Sequence, residues 1–361
     1  MKISSKEDIF SIRTDMPDVS VLTRIKKNWD KLAKPLDSLG DFETLVSRIG
    51  AIQCKVYPDA GRRCAVIFCA DNGITEERVS QCGKEITLTV AQALGNGISS
   101  ACTLGRMAGV EIIPVDIGID TAEEIEGVRS AKVARGTRNF LKGPAMTDDE
   151  VIAAMQCGID LAAELSQRGT DMISMGEMGI GNTTTATAVL CALLGQNSEA
   201  ITSRGAGLDN AGLRRKKEVI RKALEIYRFE EIEDEKERAY QILRNVGGLD
   251  IAGLAGLAIG GAIFHVPIVL DGVISSAAAL AAAAMVPGVK EYLIPSHRGK
   301  EAGNIVALEA LGLKPLIDGN MALGEGTGAI MLFPLIDMIV GYYKEGAGFT
   351  DYGMEKYRRL S

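Results

Sequence analysis

Histidine is almost missing from this sequence. Only His265 and His297 occur among 361 residues. A serine-hydrolase triad needs a histidine and a G-x-S-x-G turn, and no such turn is present. No His/Cys/Asp cluster has ligand spacing, which argues against a metal centre. The seven cysteines, Cys54, Cys64, Cys69, Cys82, Cys102, Cys157 and Cys191, are odd in number and contain no C-x-x-C pair. That pattern excludes a disulfide framework and suits a reducing cytoplasm. Neither a P-loop nor a G-x-G-x-x-G fingerprint occurs, which weighs against a nucleotide-dependent oxidoreductase. The net charge is −7. Its one basic run, Arg214 to Lys217, reads mostly as a solvated helix face, so nucleic acid is not an expected partner. The opening residues, MKISSKEDIF, lack the apolar centre of a signal peptide. Ile251 to Leu270 carries no charged side chain and has Gly256 and Gly260 at G-x-x-x-G spacing. Pro267 and the strand-like VPIVLD split it, so a buried helix and strand are expected rather than a membrane span.

Glycine, by contrast, is plentiful: there are 41, many in short clusters between apolar runs. Such clusters let backbone approach a ligand. Residues 1 to about 50 read as helices. From residue 62 strands and helices alternate. CAVIFCA, EIIPVDIG, DMISMG, PIVLD and EYLIP read as strands. Helices are expected at Ile86–Leu104, Thr147–Gln167, about 211–245 and Ser275–Met285, and from Thr327 toward the C-terminus with a bend at Pro334. Thr147 and Glu150 have capping-box spacing. Alternation of this kind predicts an α/β fold with a parallel sheet covered on both faces. Asp71, Asp116, Glu177, Asp271 and Ser296 all follow strands. The carboxyl ends of parallel strands share one edge, so these residues predict one composite site.

Four segments carry candidate chemistry. Gly176 to Thr185 (GEMGIGNTTT) places a glycine-rich turn between a strand and a hydroxyl-rich helix start. Free N–H groups and the helix dipole there could hold an anion, or the segment could be a plain N-cap. Leu323 to Gly328 (LGEGTG) sets Glu325 between glycines. A desolvated carboxylate there would suit a general base, and an exposed loop glutamate is the simpler alternative. Gly205 to Asn210 precedes Arg214, Arg215, Lys216 and Lys217, of which one or two could meet a phosphate. Pro295-Ser296-His297-Arg298 offers His297 as an acid/base without an assigned partner. His265 reads as structural.

Taken in order, KPLDSLGDFE (34–43), CADNGI (69–74), DIGID (116–120), VARGTRNF (133–140), GPAMT (143–147), GEMGIGNTTTA (176–186), GAGLDNAGL (205–213), VGGLDIAGLAG (246–256), LDGVISSAAAL (270–280), IPSHRGKEAG (294–303) and LGEGTGA (323–329) resemble the nicotinate-nucleotide:dimethylbenzimidazole phosphoribosyltransferase family. The likeness runs over nearly the whole chain. It implies a three-layer Rossmann-like catalytic domain (56–334) with a small helical lobe from both chain ends (1–55 with 335–361). It implies no cofactor and no metal. The substrates would be nicotinate mononucleotide and an aromatic base, and the assembly a homodimer or a heterodimer with a homologous subunit. Glu325 matches the catalytic base. Glu177, Gly179, Asn182, Gly205, Lys216 and Ser296 match the phosphate and ribose pocket; Cys82, Val90 and Leu323 fall in the base pocket.

The sequence departs from the family at Asn72, where histidine is usual, and at Gly83, where proline is usual. Cys82 and Val90 replace a serine and a glutamine that line the base pocket in one branch. This wall therefore has fewer hydrogen-bonding groups, which opens the acceptor to benzimidazoles, adenine, phenol or p-cresol. The same departures motivate a second reading, a partner subunit of an active homologue. Retention of Glu325 and of the Gly176–Thr184 loop weighs against it.

Overall fold

The computed structural model describes residues 1–359. Its centre is a six-stranded parallel sheet in the order β3-β2-β1-β4-β5-β6. The strands are β1 (Arg63–Ala70), β2 (Glu111–Gly118), β3 (Arg129–Ser130), β4 (Met172–Met178), β5 (Ile268–Leu270) and β6 (Leu293–Pro295). The run CAVIFCA forms most of β1 and is buried throughout. A central parallel strand is covered on both faces, so it has no polar alternation to show. Its side chains divide between the two faces. Cys64, Val66, Phe68 and Ala70 enter one apolar core, and Ala65, Ile67 and Cys69 enter the other. A small parallel pair, β7 (His297–Gly299) and β8 (Ile317–Met321), flanks the carboxyl end of β6.

On the first face, helices Asp148–Gln167 and Leu249–Ile263 pack on each other, and the second of them packs on β1. A Cβ on Gly256 would stand 2.0 Å from the Met155 carbonyl oxygen, and one on Gly260 would stand 2.5 Å from Ala162 Cβ. The G-x-x-x-G spacing thus serves a close helix crossing inside the apolar core. Among the described residues no helix is long and apolar enough to cross a membrane. The expected capping box is formed: Thr147 Oγ1 accepts from the Glu150 N–H, and Glu150 accepts from the Thr147 N–H.

The second face is covered by helices Asp41–Ile52, Ser100–Ala108 and Thr327–Glu345. The helix expected at Ile86–Leu104 is in fact two, Glu85–Gly95 and Ser100–Ala108. Gly97 takes a left-handed φ of +71°, and Ser99 caps the second helix by accepting from the Cys102 N–H at 3.2 Å. The apolar spacing continues across the break, but an N-capping serine starts a new helix there. Helix Thr327–Glu345 runs through Pro334 without interruption.

The chain ends meet at one place. Trp29 packs 4.8 Å from Tyr343 between ring centroids, and the Ala33 N–H donates to Ala347 at 2.9 Å. Residue 335 falls inside helix Thr327–Glu345, so the expected lobe boundary divides that helix. The first helix, Lys6–Ser11, packs elsewhere: Phe10 sits edge-on to Tyr240 and Lys6 pairs with Glu237.

Candidate active site

The strand order reverses direction between β1 and β4, and parallel sheets open a ligand crevice at such a point. A cleft of about 620 Å³ lies there. Its floor is Glu177 to Asn182, from the end of β4 into helix Asn182–Leu194. Loops after β5 and β7, and the segment Met321–Thr327, form its other sides.

Several helices begin at or beside the cleft, and their free N–H groups are treated differently. Helix Asn182–Leu194 has no side-chain cap, nor has helix Val273–Met285, which follows Gly272. Asn182, Thr183, Gly272 and Val273 all line the cleft. Uncapped starts facing a cavity are ready anion sites. Helix Thr327–Glu345 is capped from the loop after β5: Asp271 Oδ1 accepts from the N–H groups of Gly328 (2.8 Å) and Ala329 (3.2 Å). Burial pushes the Asp271 carboxyl up, against the opposing pull of His297 and those N–H groups. Helix Ser100–Ala108 receives Glu325, whose Oε2 accepts from the Ala101 N–H at 3.1 Å.

Glu325 thus lies on the cleft wall with its side chain anchored. Its backbone is in the left-handed region, φ +57°, between Gly324 at +92° and Gly326 at +75°. A non-glycine residue held so costs about 1–3 kcal/mol, strain that tends to sit at functional positions. The packing there is close: a Cβ on Gly176 would stand 3.1 Å from the Glu325 carbonyl oxygen. The mouth loop therefore rests directly on the end of β4.

Glu177 is buried at the cleft floor. Burial, with Asp250, Asp271 and Glu301 nearby, pushes its carboxyl up to about 8, although a hydrogen bond from Asn182 opposes the rise. The same Asn182 Nδ2 donates to Asp250 Oδ2 at 3.1 Å. Lys216 is fully buried and donates to Thr183 Oγ1 at 2.8 Å. Burial lowers its ammonium to about 8, and Glu301 partly restores it. A Cβ on Gly205 would stand 3.3 Å from Lys216 Nζ. So Lys216 stands just behind the cleft wall where Thr183 and Gly205 face the cavity.

The expected site residues come together unevenly. Glu325, Glu177, Gly179, Asn182, Gly205, Val90 and Leu323 line the cleft. Lys216 reaches its wall. Ser296 does not line it: its side chain is buried and its Oγ lies 2.9 Å from His297 Nδ1, while His297 itself faces the cavity. Cys82 is exposed and is not among the lining residues. The hydroxyl on that wall belongs to Ser80, which also accepts from the Cys82 N–H at 3.3 Å. Asp116 is occupied structurally, bound to Lys132 and the Ile119 N–H. Asn72 is buried and accepts from Thr185 Oγ1 at 3.1 Å. Sequence reasoning missed Asp250 and Met178. Met178 followed Glu177 in a recognised loop and could have been found; Asp250 lay in the recognised segment 246–256 but was given no role there.

A family profile described as phosphoribosyltransferase matches residues 14–354. A nicotinate-nucleotide–dimethylbenzimidazole phosphoribosyltransferase of Clostridium acetobutylicum is 40% identical over 343 residues, covering 95% of this chain and 96% of that one. The enzyme of the same name from Acetivibrio thermocellus is 40% identical, covering 92% and 94%. The crystal structure of CobT from Thermus thermophilus superimposes with a TM-score of 0.87 at 34% identity, covering 94% of this chain and all of that one. The chain belongs to this phosphoribosyltransferase family. The family identity fits the cleft: an enzyme that handles a ribose phosphate needs an anion cradle at one end and a base near the reacting carbon, and the cleft has candidates for both.

Proposed function

We propose that this enzyme transfers the ribose 5-phosphate of nicotinate mononucleotide to an aromatic base for assembly of a cobamide lower ligand. The observation that carries the reading is the pairing, in one cleft, of the Thr183–Lys216–Gly205 cradle with the anchored carboxylate of Glu325. The phosphate would lie at the uncapped start of helix Asn182–Leu194, where the helix dipole and the Lys216 ammonium both favour an anion.

The chemistry then needs little else. The bond between C1′ and the pyridinium nitrogen breaks, and its electron pair returns to the ring, so neutral-ring nicotinate leaves without a general acid. A ring nitrogen of the acceptor donates its lone pair to C1′ from the opposite face. Its surplus proton passes to the Glu325 carboxylate. The product is an α-riboside 5′-phosphate. Positioning and one general base supply the rate, the base about 10²–10⁴-fold. The acceptor would lie against Val79, Val90, Met178 and Leu323, apolar groups suited to a flat ring. The same wall would admit a phenol, whose attack through oxygen gives an O-glycoside.

The resemblance also supports a dimer. Met331, Met338 and Tyr342 form an exposed stripe on helix Thr327–Glu345, and Met107 is exposed on helix Ser100–Ala108, which packs against it. A second copy covering this stripe would account for it; Met338→Glu should then halve the mass seen by light scattering.

The decisive assay incubates the purified protein with nicotinate mononucleotide and, separately, dimethylbenzimidazole, benzimidazole, adenine, phenol and p-cresol. Acceptor-dependent nicotinate release with a matching riboside phosphate is expected. Folded protein that releases nicotinate with none of them would point instead to a subunit that needs a homologous partner.

A further inference from the structure

A site for a phosphorylated ribose would be expected to avoid carboxylates, yet this floor is acidic. The charges that act most strongly on Glu177 are all negative: Asp250, Asp271 and Glu301. Asp250 is itself faced by Asp71. Asp250 lies in the first turn of helix Leu249–Ile263, is fully buried, and does not line the cleft. Its Oδ1 accepts from the Ile251 N–H at 2.9 Å. Its Oδ2 shares with Glu177 Oε2 the single amide nitrogen of Asn182. An amide nitrogen has two protons, so Asn182 gives one to each carboxyl group and satisfies one oxygen of each. The remaining oxygen, Glu177 Oε1, faces the mouth loop: a Cβ on Gly324 would stand 3.0 Å from it. Two carboxyl groups joined by a neutral bridge, out of water, cannot both stay ionised cheaply.

The geometry points to Asp250 as a positioning residue that keeps Glu177 protonated, with the proton on Oε1 aimed into the cleft as a donor to a ribose hydroxyl oxygen. This rests on the transferase reading above for the identity of the ligand. The buried partner stays ionised so that the cleft-facing group remains neutral. Burial favours that order: it pushes the Glu177 carboxyl up to about 8, and the Asp250 carboxyl, where hydrogen bonds oppose it, to about 6. Near neutral pH one proton is shared out to Glu177. A neutral carboxyl group then donates a hydrogen bond without repelling the phosphate nearby.

The test is a carboxyl titration by carbon NMR on the full-length protein, with ¹³C in glutamate side chains. The Glu177 resonance is identified by its loss in Glu177→Gln. In the native protein it should titrate near 8. In Asp250→Asn it should titrate at a lower pH, though still above a free glutamate because burial remains. Nicotinate mononucleotide without acceptor should raise the native midpoint further. The alkaline limb of kcat/KM should move to lower pH in Asp250→Asn, which a loss of folding alone would not do. A native midpoint at the ordinary carboxylate value, or one unmoved in folded Asp250→Asn, would overturn the proposal. The native titration needs no variant beyond the assignment, so misfolding of Asp250→Asn cannot hide the answer. If no acceptor supports transfer while these shifts appear, the functional reading fails and the shared-proton pair stands.

Discussion

The two ends of the cleft are built differently. At the end proposed for the donor, Lys216, Glu177, Asn182 and Asp250 are buried and tied to one another or to Thr183. At the end proposed for the acceptor, Val90 is half-buried, Leu323 is 58% exposed, and Cys82 faces solvent outside the lining. Buried hydrogen-bonded groups discriminate strongly, since a wrong ligand leaves them unpaired; apolar walls discriminate weakly. On the proposed reading, the cleft would therefore select the ribose phosphate more strongly than the ring.

The sharpest way to divide the two ends is to remove the group between them. Glu325→Gln should lower kcat by about 10²–10⁴ with every acceptor, while calorimetry shows nicotinate mononucleotide still binding. A loss confined to one acceptor would place Glu325 in acceptor recognition instead. Next in size, Lys216→Met should raise KM for the mononucleotide roughly 10–100-fold, the worth of a hydrogen bond to a charged group, with little change among acceptors.

A smaller effect concerns stability. The folded protein holds the Glu177 proton up to about 8, whereas an unfolded chain releases it near the ordinary glutamate value of 4.5. Between those values the folded state binds more protons, so this group's contribution to stability is full below the lower value and declines as pH rises to the higher one. Glu177→Gln should flatten that part of a melting-temperature profile against pH. The smallest change should come from Val90→Gln. It adds a polar group to the half-open wall and should alter acceptor KM values by less than about tenfold.

The contrast between the ends also explains what the sequence could reveal. The alternation of apolar runs with helices predicted the parallel sheet because β1 and its neighbours are covered on both faces. The Gly176–Thr185 and Leu323–Gly328 loops were legible because each packs a strand end or helix start into a few consecutive residues. The Glu177–Asn182–Asp250 link was not legible: Asp250 lies 68 positions from Asn182, and only folding brings helix Leu249–Ile263 under the floor. The break at Gly97–Ser99 was missed because apolar residues keep helical spacing across it. Ser296 matched a pocket position, yet its hydroxyl is taken by His297. The substitution at Asn72 supports Thr185 rather than reaching the cavity, since the side chain is buried behind the loop.

The account predicts that the donor's phosphate matters more than the acceptor's identity. One assay series measures this directly: kcat/KM for nicotinate mononucleotide against nicotinate riboside, which lacks the phosphate, at a fixed acceptor, and then for each of the five acceptors with the mononucleotide. Loss of the phosphate should cost more than any exchange of acceptor. A riboside that performs nearly as well as the mononucleotide, alongside one acceptor strongly preferred over all others, would contradict it.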